Sequence, residues 1–402
     1  MDIEISESRA NPGYNASPMI ERRRYLDRIA AAIGRAPVTS LLGPRQCGKT
    51  TLAREFASTR ESTRFDLGSE ADVRQLANPE LVLGELRGLV VLDEIQILPG
   101  LFNVLRVLVD RPDADTRFLI LGSASPTIVR GVSQSLAGRV EFIDMGGFDL
   151  EETGATDMRK LWRRGGFPRS WLADSEAESV AWRRGFIRTF LERDLPQLGV
   201  PVPAVAMRRF WSTLAHHHGQ TANAASLGRS IGVSDKTARR YLDLLTGAWM
   251  VRQVQPWFEN LGKRQVKAPK VYVRDTGLLH SLLGIDNDQE LLGHRRVGAS
   301  WEGFAMEQIL SALGQPTPWF WSAHGLGEID LLLLLRGRRI GFEMKFSEAP
   351  RVRAKTREIA SALDLDHLFV VCPTRQAYPA ASDITVLPAN AIPSLPERIE
   401  GL

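Results

Sequence analysis

The sequence predicts an α/β protein built from three parts, which we place at residues 1–155, 156–283 and 284–402. The first part contains an apolar strand, a glycine-rich turn and a helix in succession, an order that is typical of a parallel sheet covered by helices. The middle part contains two helices separated by a short GVS turn and followed by two strands, which predicts a winged helix. The last part contains two apolar strands around an RGRR turn, which predicts a second α/β domain.

Composition places the chain among ordinary globular proteins. Of its 402 residues, 44% are hydrophobic and 24% are charged, and this length is sufficient for two or three domains. The two cysteines, Cys47 and Cys372, are far apart, which argues against a disulfide framework or a zinc cluster. The longest aliphatic run, residues 329–335, is interrupted by an aspartate and is too short to cross a bilayer. We therefore expect a cytoplasmic protein that does not contact membranes.

Basic residues are concentrated in the middle of the chain, although the formal net charge is only +4. Residues 159–209 contain 11 Lys and Arg against 5 Asp and Glu, and residues 229–270 contain 9 against 3. A local excess of positive charge is typical of a surface that binds nucleic acid, but it is equally typical of a solvated charged face. The charge distribution alone leaves both interpretations open.

Residues 43–51, GPRQCGKTT, match the pattern GxxxxGK[ST] of a phosphate-binding loop, the P-loop. An apolar strand precedes them and a helix follows, which is the structural context that this pattern requires. We expect backbone amides to surround the phosphates, Lys49 to reach the β- and γ-phosphates and Thr50 to bind Mg²⁺. The predicted nucleotide-binding residues of the loop are Gly43, Pro44, Arg45, Gln46, Cys47, Gly48, Lys49, Thr50 and Thr51. The sequence therefore predicts ATP and Mg²⁺ as cofactors.

Two further strand ends supply the groups that hydrolysis requires. Asp93 and Glu94 follow the apolar strand LVVL, so we expect Asp93 to bind Mg²⁺ and Glu94 to polarise the attacking water. The strand RFLIL leads to Ser123 and Ser125, at a position suited to contact the γ-phosphate. A serine-rich turn without such a role is the alternative.

Several motifs together resemble one protein family. The segments GPRQCGKTTLA, LDEIQILPGLFNVLRVLVD, LGSAS, SLAGRVEF, FLERDLPQLG and PKVYVRDTGLL are similar to those of bacterial and archaeal AAA-like P-loop ATPases with a C-terminal domain of uncharacterised function. The resemblance makes Arg139, in the SLAGR segment, a candidate sensor or arginine finger. A finger that acts between chains implies a homo-oligomer, whereas a plain surface arginine is the alternative.

The middle of the chain predicts a helix with a DNA-binding face. Ser234 is a suitable N-cap, and the apolar residues after it repeat at helical spacing. The predicted DNA contacts are the basic residues on the opposite face of this helix and near the tip of the following strand pair: Lys236, Arg239, Arg240, Lys263, Arg264, Lys267 and Lys270. We expect double-stranded DNA, including branched DNA, as the partner; a winged helix that only braces two domains is the alternative. The histidines at 216–218 are expected on the surface.

The segment GEIDLLLLLRGRRIGFEMKF, residues 327–346, contains a candidate metal site. Strand alternation places Glu343 and Lys345 on one face, and Asp330 lies at the head of the neighbouring strand. We expect Asp330, Glu343 and Glu302 to bind Mg²⁺. Lys345 would then orient the attacking water of a phosphodiester cleavage. The pattern resembles the restriction-endonuclease-like superfamily, PD-(D/E)xK; a degenerate site that binds without cutting, or a polar hairpin face, is the alternative.

These inferences combine into one functional hypothesis. We expect an ATP-dependent DNA-processing protein, in which hydrolysis by the first part is coupled to DNA binding by the winged helix and to cleavage by the C-terminal site. Further basic residues, Arg351, Arg353, Lys355 and Arg357, are placed to follow a phosphate backbone. A non-cutting switch that changes its affinity for DNA or for a protein is the alternative. A signalling ATPase that acts only on proteins is a third hypothesis.

Overall fold

The computed structural model describes residues 20–112, 115–123, 135–197, 202–259, 266–323, 325–352 and 354–402. Within these residues, five strands from the first part of the chain form one sheet, and nine strands from the remainder form another. Helices cover both sheets. The prediction of a mixed α/β protein is therefore confirmed.

The first sheet is entirely parallel. Its strands are β1 (Val38–Gly43), β2 (Ser62–Asp66), β3 (Leu89–Asp93), β4 (Arg117–Ser123) and β5 (Val140–Asp144), in the order β2-β3-β4-β1-β5. The accompanying helices are α1 (Arg23–Arg35), α2 (Lys49–Ala57), α3 (Glu70–Gln75), α4 (Pro79–Gly84) and α5 (Leu101–Val109), with a 3₁₀ turn at Ile95–Ile97. Every residue of β1 and β3 is buried, as in strands that are covered on both faces.

Packing on the two faces of this sheet explains its continuous apolar strands. Leu42 and Val90 belong to a cluster that includes helix α5, whereas Leu41 and Val91 belong to a cluster that includes α1 and α2. Because the strands are parallel, the segments that follow β1, β3 and β4 meet at one edge of the sheet. The fold therefore brings the P-loop, Asp93 and Ser123 to the same edge.

Short helices connect the first sheet to the middle of the chain. They are α6 (Leu150–Thr153), α7 (Met158–Arg164), α8 (Pro168–Trp171), α9 (Glu176–Thr189) and α10 (Leu195–Gln197), with a 3₁₀ turn at Ala155–Asp157 and a π-helical turn at Phe190–Asp194. Asp149 and Glu152 form a capping box at the start of α6, and Ser175 caps α9. These side chains fix where the connecting helices begin.

The middle of the chain contains three helices and a small antiparallel sheet. Its elements are α11 (Ala204–His216), β6 (Gln220–Thr221), α12 (Ala224–Ile231), α13 (Asp235–Gly247), β7 (Val251–Pro256) and β8 (Lys270–Val273). Gly232 ends α12 in the left-handed region at φ 76°, and Ser234 caps α13 through the amide of Thr237. Strand β8 pairs with both β6 and β7. This order of elements fits a winged helix, an assignment that stays a prediction.

The remaining elements follow in an alternating order. They are α14 (Thr276–Leu283), α15 (Asp288–Gly293), α16 (Val297–Ala312), β9 (Trp319–Ala323), β10 (Gly327–Leu335), β11 (Arg338–Met344), α17 (Ala354–Ala362), β12 (His367–Cys372), β13 (Tyr378–Ala381), β14 (Ile384–Pro388), a 3₁₀ turn at Ala389–Ser394 and α18 (Leu395–Glu400). Strands β9, β10 and β11 are antiparallel, and β12 lies parallel to β11 after the crossover through α17. None of the helices described has the length and apolarity that a membrane-spanning helix needs.

The middle and C-terminal parts share one sheet. Strand β7 pairs in parallel with β9, through Gln255 opposite Trp319 and Pro256 opposite Phe320, and the nine strands run in the order β13-β14-β12-β11-β10-β9-β7-β8-β6. The sequence does not reveal this pairing, because the two strands are separated by more than sixty residues with several elements between them. The joined sheet brings β8 of the middle part close to the C-terminal domain.

Strand β10 lies in the centre of this sheet. Leu331, Leu332 and Leu333 are fully buried, so both faces of the strand are covered over this stretch. Leu331 and Leu333 pack in the cluster that contains α16, whereas Ile329 and Leu332 pack in the cluster that contains α17. The pairing of β10 with β9 is irregular between Ile329 and Leu332, as in a β-bulge. This irregularity surrounds Asp330.

Candidate functional site

The backbone of the P-loop has the shape that its glycines permit. Gly48 has φ 101° and Gln46 has φ 63°, both in the left-handed region. A Cβ atom on Gly43 would lie 2.1 Å from the carbonyl oxygen of Met145, so no larger residue fits there without moving the backbone. Helix α2 begins directly after the loop, at Lys49. Backbone amides at the start of this helix are suited to bind an anion.

Lys49 is held at the loop itself. Its Nζ donates to the carbonyl oxygen of Gly43 at 3.0 Å and to that of Pro44 at 2.8 Å, and the residue is only 9% exposed. Among the described residues it forms no ion pair with a carboxylate. Among the described residues the side-chain nitrogen of Lys49 is therefore positioned by neutral carbonyl oxygens alone, which favours an anionic ligand.

The groups predicted to hold Mg²⁺ are together. The hydroxyl of Thr50 donates to Oδ2 of Asp93 at 2.7 Å, and Asp93 Oδ1 accepts from the amide of Glu94 at 2.9 Å. Carboxylate and hydroxyl oxygens are ligands that Mg²⁺ prefers beside the phosphates of a nucleotide. The donor set fits a magnesium ion bound with a nucleotide.

Glu94 has a backbone conformation that is unusual for its residue type. Its φ of 54° and ψ of 44° lie in the left-handed region, which only a small fraction of non-glycine residues adopt. Its carboxylate accepts a hydrogen bond from the side-chain amide of Gln96. The role of Gln96 was not predicted, although the DEIQ motif contained the signal: a single residue separates Glu94 from Gln96 at a tight 3₁₀ turn.

Ser123 ends β4 between the strands that carry the P-loop and Asp93. Its hydroxyl is buried and has no hydrogen-bond partner within the part of the chain that the structure describes. A buried hydroxyl without a partner is costly, and a phosphate oxygen would satisfy it. Ser125, the other serine predicted for this role, lies outside the described residues.

The side chain of Arg45, a predicted nucleotide-binding residue, pairs with a residue outside the P-loop. Although it belongs to the P-loop, its guanidinium pairs with Asp194 in the π-helical turn at Phe190–Asp194. Asp194 is buried, so the contact ties the loop to the connecting helices. Cys47 is also buried, with its thiol directed at the carbonyl oxygen of Met145, so the loop uses this side chain for packing.

Arg139 does not lie at the carboxyl ends of the strands, where the P-loop is. It directly precedes β5, and its carbonyl oxygen accepts from the amide of Val38 at the start of β1. It therefore lies at the amino-terminal ends of the strands, about 17–20 Å from the P-loop at their carboxyl ends. Its guanidinium is exposed and pairs with Asp110 at 2.6 and 2.8 Å. The prediction of a sensor for the same chain's nucleotide is wrong; an action on a neighbouring chain stays a prediction.

Arg22 is a support of the P-loop that sequence reasoning missed. Its guanidinium donates to the carbonyl oxygens of Cys47 and Gly147 at 3.1 and 2.9 Å, and it pairs with Glu152 at 2.6 Å. Burial raises the pKa of Glu152 to about 7, against the opposing effect of Arg22. No local pattern announces this contact, because the partners are 25 to 130 residues apart.

The predicted DNA-binding helix α13 presents its basic side chains to solvent. Lys236, Arg239 and Arg240 are exposed, whereas the apolar stripe on the other side of the helix is buried: Ala238, Tyr241, Leu242 and Leu245. Lys267 is exposed as well, and so are Arg351, Lys355 and Arg357. Lys263, Arg264 and Arg353 lie outside the described residues. The surface charge is thus available, while DNA binding stays a prediction.

Lys270 was predicted near the tip of the wing, but the structure buries its side chain against carboxylates of the C-terminal domain. It is 3% exposed, and its Nζ lies 3.3 Å from Glu302, 3.4 Å from Glu328 and 3.7 Å from Asp330. The physical reason is the shared sheet, which brings the first residue of β8 near the start of β10. We call Lys270, Glu302, Glu328 and Asp330 the carboxylate cluster.

Tyr272 completes this cluster. Its hydroxyl donates to Glu302 at 2.5 Å, two residues after Lys270 on the same face of β8. Burial raises the pKa of Glu302 to about 7, helped by Asp330 and opposed by Lys270. Burial by itself would lower the pKa of Lys270, but Glu302 and Asp330 raise it above its ordinary value. The alternation of side chains along PKVYV places Lys270 and Tyr272 on one face of the strand, and this was the sequence signal that they act together.

Glu343 and Lys345 do not join a metal site. Lys345 pairs with Glu343 at 2.6 Å, which agrees with the prediction that they share a face. Asp330 instead accepts from the amide of Met344 at 2.9 Å and faces Lys270. Among the described residues no group of three or more His, Cys, Asp or Glu side chains is placed to hold a metal ion. The expectation that Glu302, Asp330 and Glu343 converge as ligands is therefore not met.

A second buried charge network lies beside the P-loop. Arg252 and Arg274 pair with Glu307 at 2.5 and 3.1 Å. Burial alone would raise the pKa of Glu307, but the two arginines lower it to about 2. A cleft next to this network is also lined by Pro44 of the P-loop.

One of the three histidines differs from the expectation of a surface position. His218 is 1% exposed, and its Nδ1 accepts from the amide of Val273 at 3.0 Å. Burial lowers its pKa to about 3, so it is a neutral core residue that joins α11 to β8.

Comparison with known proteins agrees with the first part of this description. Family models match the chain in succession: an AAA domain at residues 35–154, a domain of unknown function (DUF8612) at 155–289 and a domain of unknown function (DUF4143) at 297–392. The uncharacterized proteins Rv2008c of Mycobacterium tuberculosis and Mb2031c of Mycobacterium bovis are each 49% identical over 374 residues, which cover 93% of this chain and 85% of theirs. The Walker-type ATPase paby2304 of Pyrococcus abyssi is 14% identical, covers 66% of this chain and 96% of its own, and has a TM-score of 0.48.

Proposed function

We propose a function from the premise that the chain belongs to the family of the mycobacterial proteins Rv2008c and Mb2031c and contains an AAA domain. In this proposal the chain is a Mg-ATP hydrolase whose nucleotide state controls DNA binding. The observation that carries hydrolysis is the meeting of Lys49, Thr50 and Asp93 at one edge of the sheet, with the Thr50 hydroxyl on the Asp93 carboxylate. This combination of groups is typical of sites that bind a nucleotide phosphate together with its metal.

Each residue of the site has one task in this proposal. Thr50 and Asp93 would hold Mg²⁺, which neutralises charge on the phosphate oxygens when it is bound. Lys49 and the amides at the start of α2 bind the phosphates, and Ser123 donates its free hydroxyl. Glu94, oriented by Gln96, aligns the attacking water and accepts its proton.

A contact of the P-loop supports control of the middle part by the nucleotide. Arg45 of the loop pairs with buried Asp194, which precedes α10 and the segment that leads to α11. A phosphate bound in the loop would compete with Asp194 for the guanidinium, since both are anionic acceptors. We infer that release of Asp194 is the signal that reaches α13.

The proposed partner of α13 is double-stranded DNA, including branched DNA. Lys236, Arg239 and Arg240 form an exposed basic row beside a capped helix start, the geometry with which a recognition helix approaches a groove. Cleavage is not part of the proposal, because the cluster in the C-terminal domain lacks a set of metal ligands among the described residues. A homo-oligomer in which Arg139 reaches a neighbour's nucleotide extends the same proposal.

The experiment measures ATP hydrolysis and DNA affinity on the same protein. We expect Glu94→Gln to bind ATP without hydrolysing it, and we expect a Lys236→Ala, Arg239→Ala, Arg240→Ala variant to lose DNA affinity and about three units of the salt slope. A matched control removes the same charge from the exposed residues Arg64, Arg74 and Arg87 of the first domain and leaves DNA affinity intact.

Two results would overturn parts of this proposal. Equal losses of DNA affinity in the α13 variant and in the control would show that binding reflects charge alone. Cleavage of linear, circular or branched DNA in Mg²⁺ or Mn²⁺, abolished by Lys345→Ala, would restore the nuclease interpretation.

A further inference from the structure

Two distant segments of the chain meet where α11 ends and α16 begins. Gly219, in the turn after α11, packs on the first turn of α16, since a Cβ atom on this glycine would lie 3.4 Å from the Cβ atom of Ala299. His218 is buried against Gly303 of the same helix, where a Cβ atom would lie 2.3 Å from the histidine Nε2. Because glycine has no side chain, the turn lies directly against α16. The contact fixes the end of α11 beside the start of α16.

Basic side chains surround this contact. His216 is the last residue of α11 and His217 follows it, whereas His294, Arg295 and Arg296 directly precede α16. Burial lowers the pKa of His216, and the positive charges of the three residues before α16 lower it further. Such an effect requires the two segments to lie close together. We call these five residues the basic junction.

Among the described residues no carboxylate balances the basic junction. The pKa of His294 is lowered by burial and then by Arg295 and Arg296, and no acidic group opposes them. Neither arginine forms an ion pair with a carboxylate in the part of the chain that the structure describes. The first acidic residue of α16, Glu302, is paired with Lys270 instead. Like charges that lack a counter-charge attract an anionic partner.

The donors of the basic junction suit phosphate oxygens. Arg295 is exposed and Arg296 is half-buried, and a guanidinium binds a phosphate through two parallel N–H groups. Helix α16 begins without a side-chain cap and without an acidic residue in its first turn. The free amide groups of this turn add to the positive potential that the side chains create.

The positive charge also continues along α11, which favours a chain of phosphates over a single anion. Arg209 and His216 are both exposed, and their spacing of seven residues places them on one face of the helix. They are about 10 Å apart along the helix axis. This length covers more than one phosphate of a nucleic-acid strand.

We propose that the basic junction, together with Arg209, is a second DNA contact that binds backbone phosphates of the duplex proposed to bind α13. The inference rests on the proposed DNA binding and assigns to it residues outside α13. The middle part supplies Arg209, His216 and His217, and the C-terminal part supplies the other three residues. DNA bound at this surface therefore contacts both parts of the chain. Contacts to phosphates add affinity without preference for a base sequence.

The first test measures the affinity of the full chain for a fluorescently labelled DNA duplex at several salt concentrations. A variant with Arg295→Ala and Arg296→Ala should lose about two units of the salt slope, and the loss should be similar for duplexes of different sequence. The matched control, with Arg64→Ala and Arg74→Ala, removes two exposed arginines of the first domain and should leave the slope unchanged.

The second test uses pH, because the lysine and arginines of α13 keep their charge throughout the neutral range. The pKa values of His216 and His294 lie below 6.5, so both side chains are mostly neutral at pH 7.5 and become charged as the pH falls. A bound phosphate favours the charged form, so DNA affinity should rise between pH 7.5 and pH 5.5. A variant with His216→Gln and His294→Gln should lose most of this rise.

The outcomes separate this inference from the proposed function. If the α13 variant loses DNA affinity while the Arg295 and Arg296 variant keeps its salt slope, the inference is wrong and the proposed function stands. An equal loss of slope in the control refutes the inference as well, because binding would then follow total charge. If the arginine variant does not fold, the histidine variant decides, and a rise in affinity that it retains in full refutes the inference. A parent protein that binds no DNA at any of these pH values overturns both proposals.

Discussion

The P-loop and the carboxylate cluster use similar side chains but neutralise their charges differently. In the P-loop, Lys49 is held by the neutral carbonyl oxygens of Gly43 and Pro44, and Asp93 is held by the hydroxyl of Thr50. In the carboxylate cluster, Lys270 is surrounded by carboxylates within 3.7 Å. One region keeps its charges available to a ligand, whereas the other balances them within the chain.

This difference distinguishes a site that can bind a ligand from a charge contact that only stabilises the structure. A charged group that is balanced only by neutral dipoles keeps much of its attraction for an ion of opposite sign, so a ligand gains free energy by binding there. An ammonium that is already paired with carboxylates has lost that attraction, and breaking the pair is costly. Both regions contain a buried lysine beside acidic strand ends, so residue type alone does not distinguish them.

The largest expected effect separates the two regions by activity. Lys49→Ala should lower the rate of ATP hydrolysis about 10²–10³-fold, because it removes a positioned charge at the phosphates. Lys345→Ala, which alters the lysine of the Glu343 ion pair, is the matched control and should leave hydrolysis unchanged. Phosphate release under saturating ATP measures both. Equal losses would mean that the P-loop is not the place of hydrolysis.

The next effect separates them by stability. Lys270→Ala should lower the free energy of unfolding by about 3–5 kcal/mol, because it leaves buried carboxylates without their cation. Lys345→Ala should lower it by less than about 1 kcal/mol, because the side chain of Lys345 is 48% exposed and its ion pair is screened by water. Urea unfolding followed by tryptophan fluorescence compares them. If Lys270→Ala left the free energy of unfolding unchanged, Lys270 would not be the cation of the carboxylate cluster.

Acid should weaken the second buried charge network, in which Glu307 pairs with Arg252 and Arg274. The pKa of this carboxyl is lowered from 4.5 to about 2, so its stabilisation is fully present above pH 4.5 and is lost as the pH falls through 2. The shift corresponds to about 3 kcal/mol. Glu307→Gln should therefore lower stability at neutral pH and flatten its dependence on acid, whereas Glu85→Gln, at an exposed carboxylate, should leave the acid profile as it is. Chemical unfolding between pH 2 and 6 distinguishes these outcomes, and an unchanged profile in Glu307→Gln would refute the assignment.

The smallest effect concerns the position of Glu94 within the nucleotide site. Gln96→Ala should lower kcat about 10-fold and leave KM nearly unchanged, a part of the roughly 10²–10⁴-fold contribution of a positioned general base. The reason is that the amide of Gln96 holds the Glu94 carboxylate, which acts on the water and not on the binding of ATP. Steady-state kinetics give both constants. A raised KM with normal kcat would show that Gln96 serves binding instead.

The sequence by itself determined the features that depend on neighbouring residues. The P-loop, the strands before it and before Asp93, and the cap of α13 at Ser234 all follow from short contiguous patterns. Their physics is local: glycines permit the loop, apolar runs form buried strands, and a serine hydroxyl satisfies a free amide at a helix start. These features needed no knowledge of the rest of the chain.

Only the tertiary structure decided which distant charges meet. Lys270 was assigned to a wing and lies among the carboxylates of the C-terminal domain, and Arg139 was assigned to the nucleotide and lies at the opposite edge of its sheet. The pairing of β7 with β9 and the place of β5 in the first sheet determine both positions. Such pairings join segments that are far apart along the chain. The folded arrangement therefore determines how the charges of each site are balanced. It also determines whether the site can bind a ligand or only stabilises the structure.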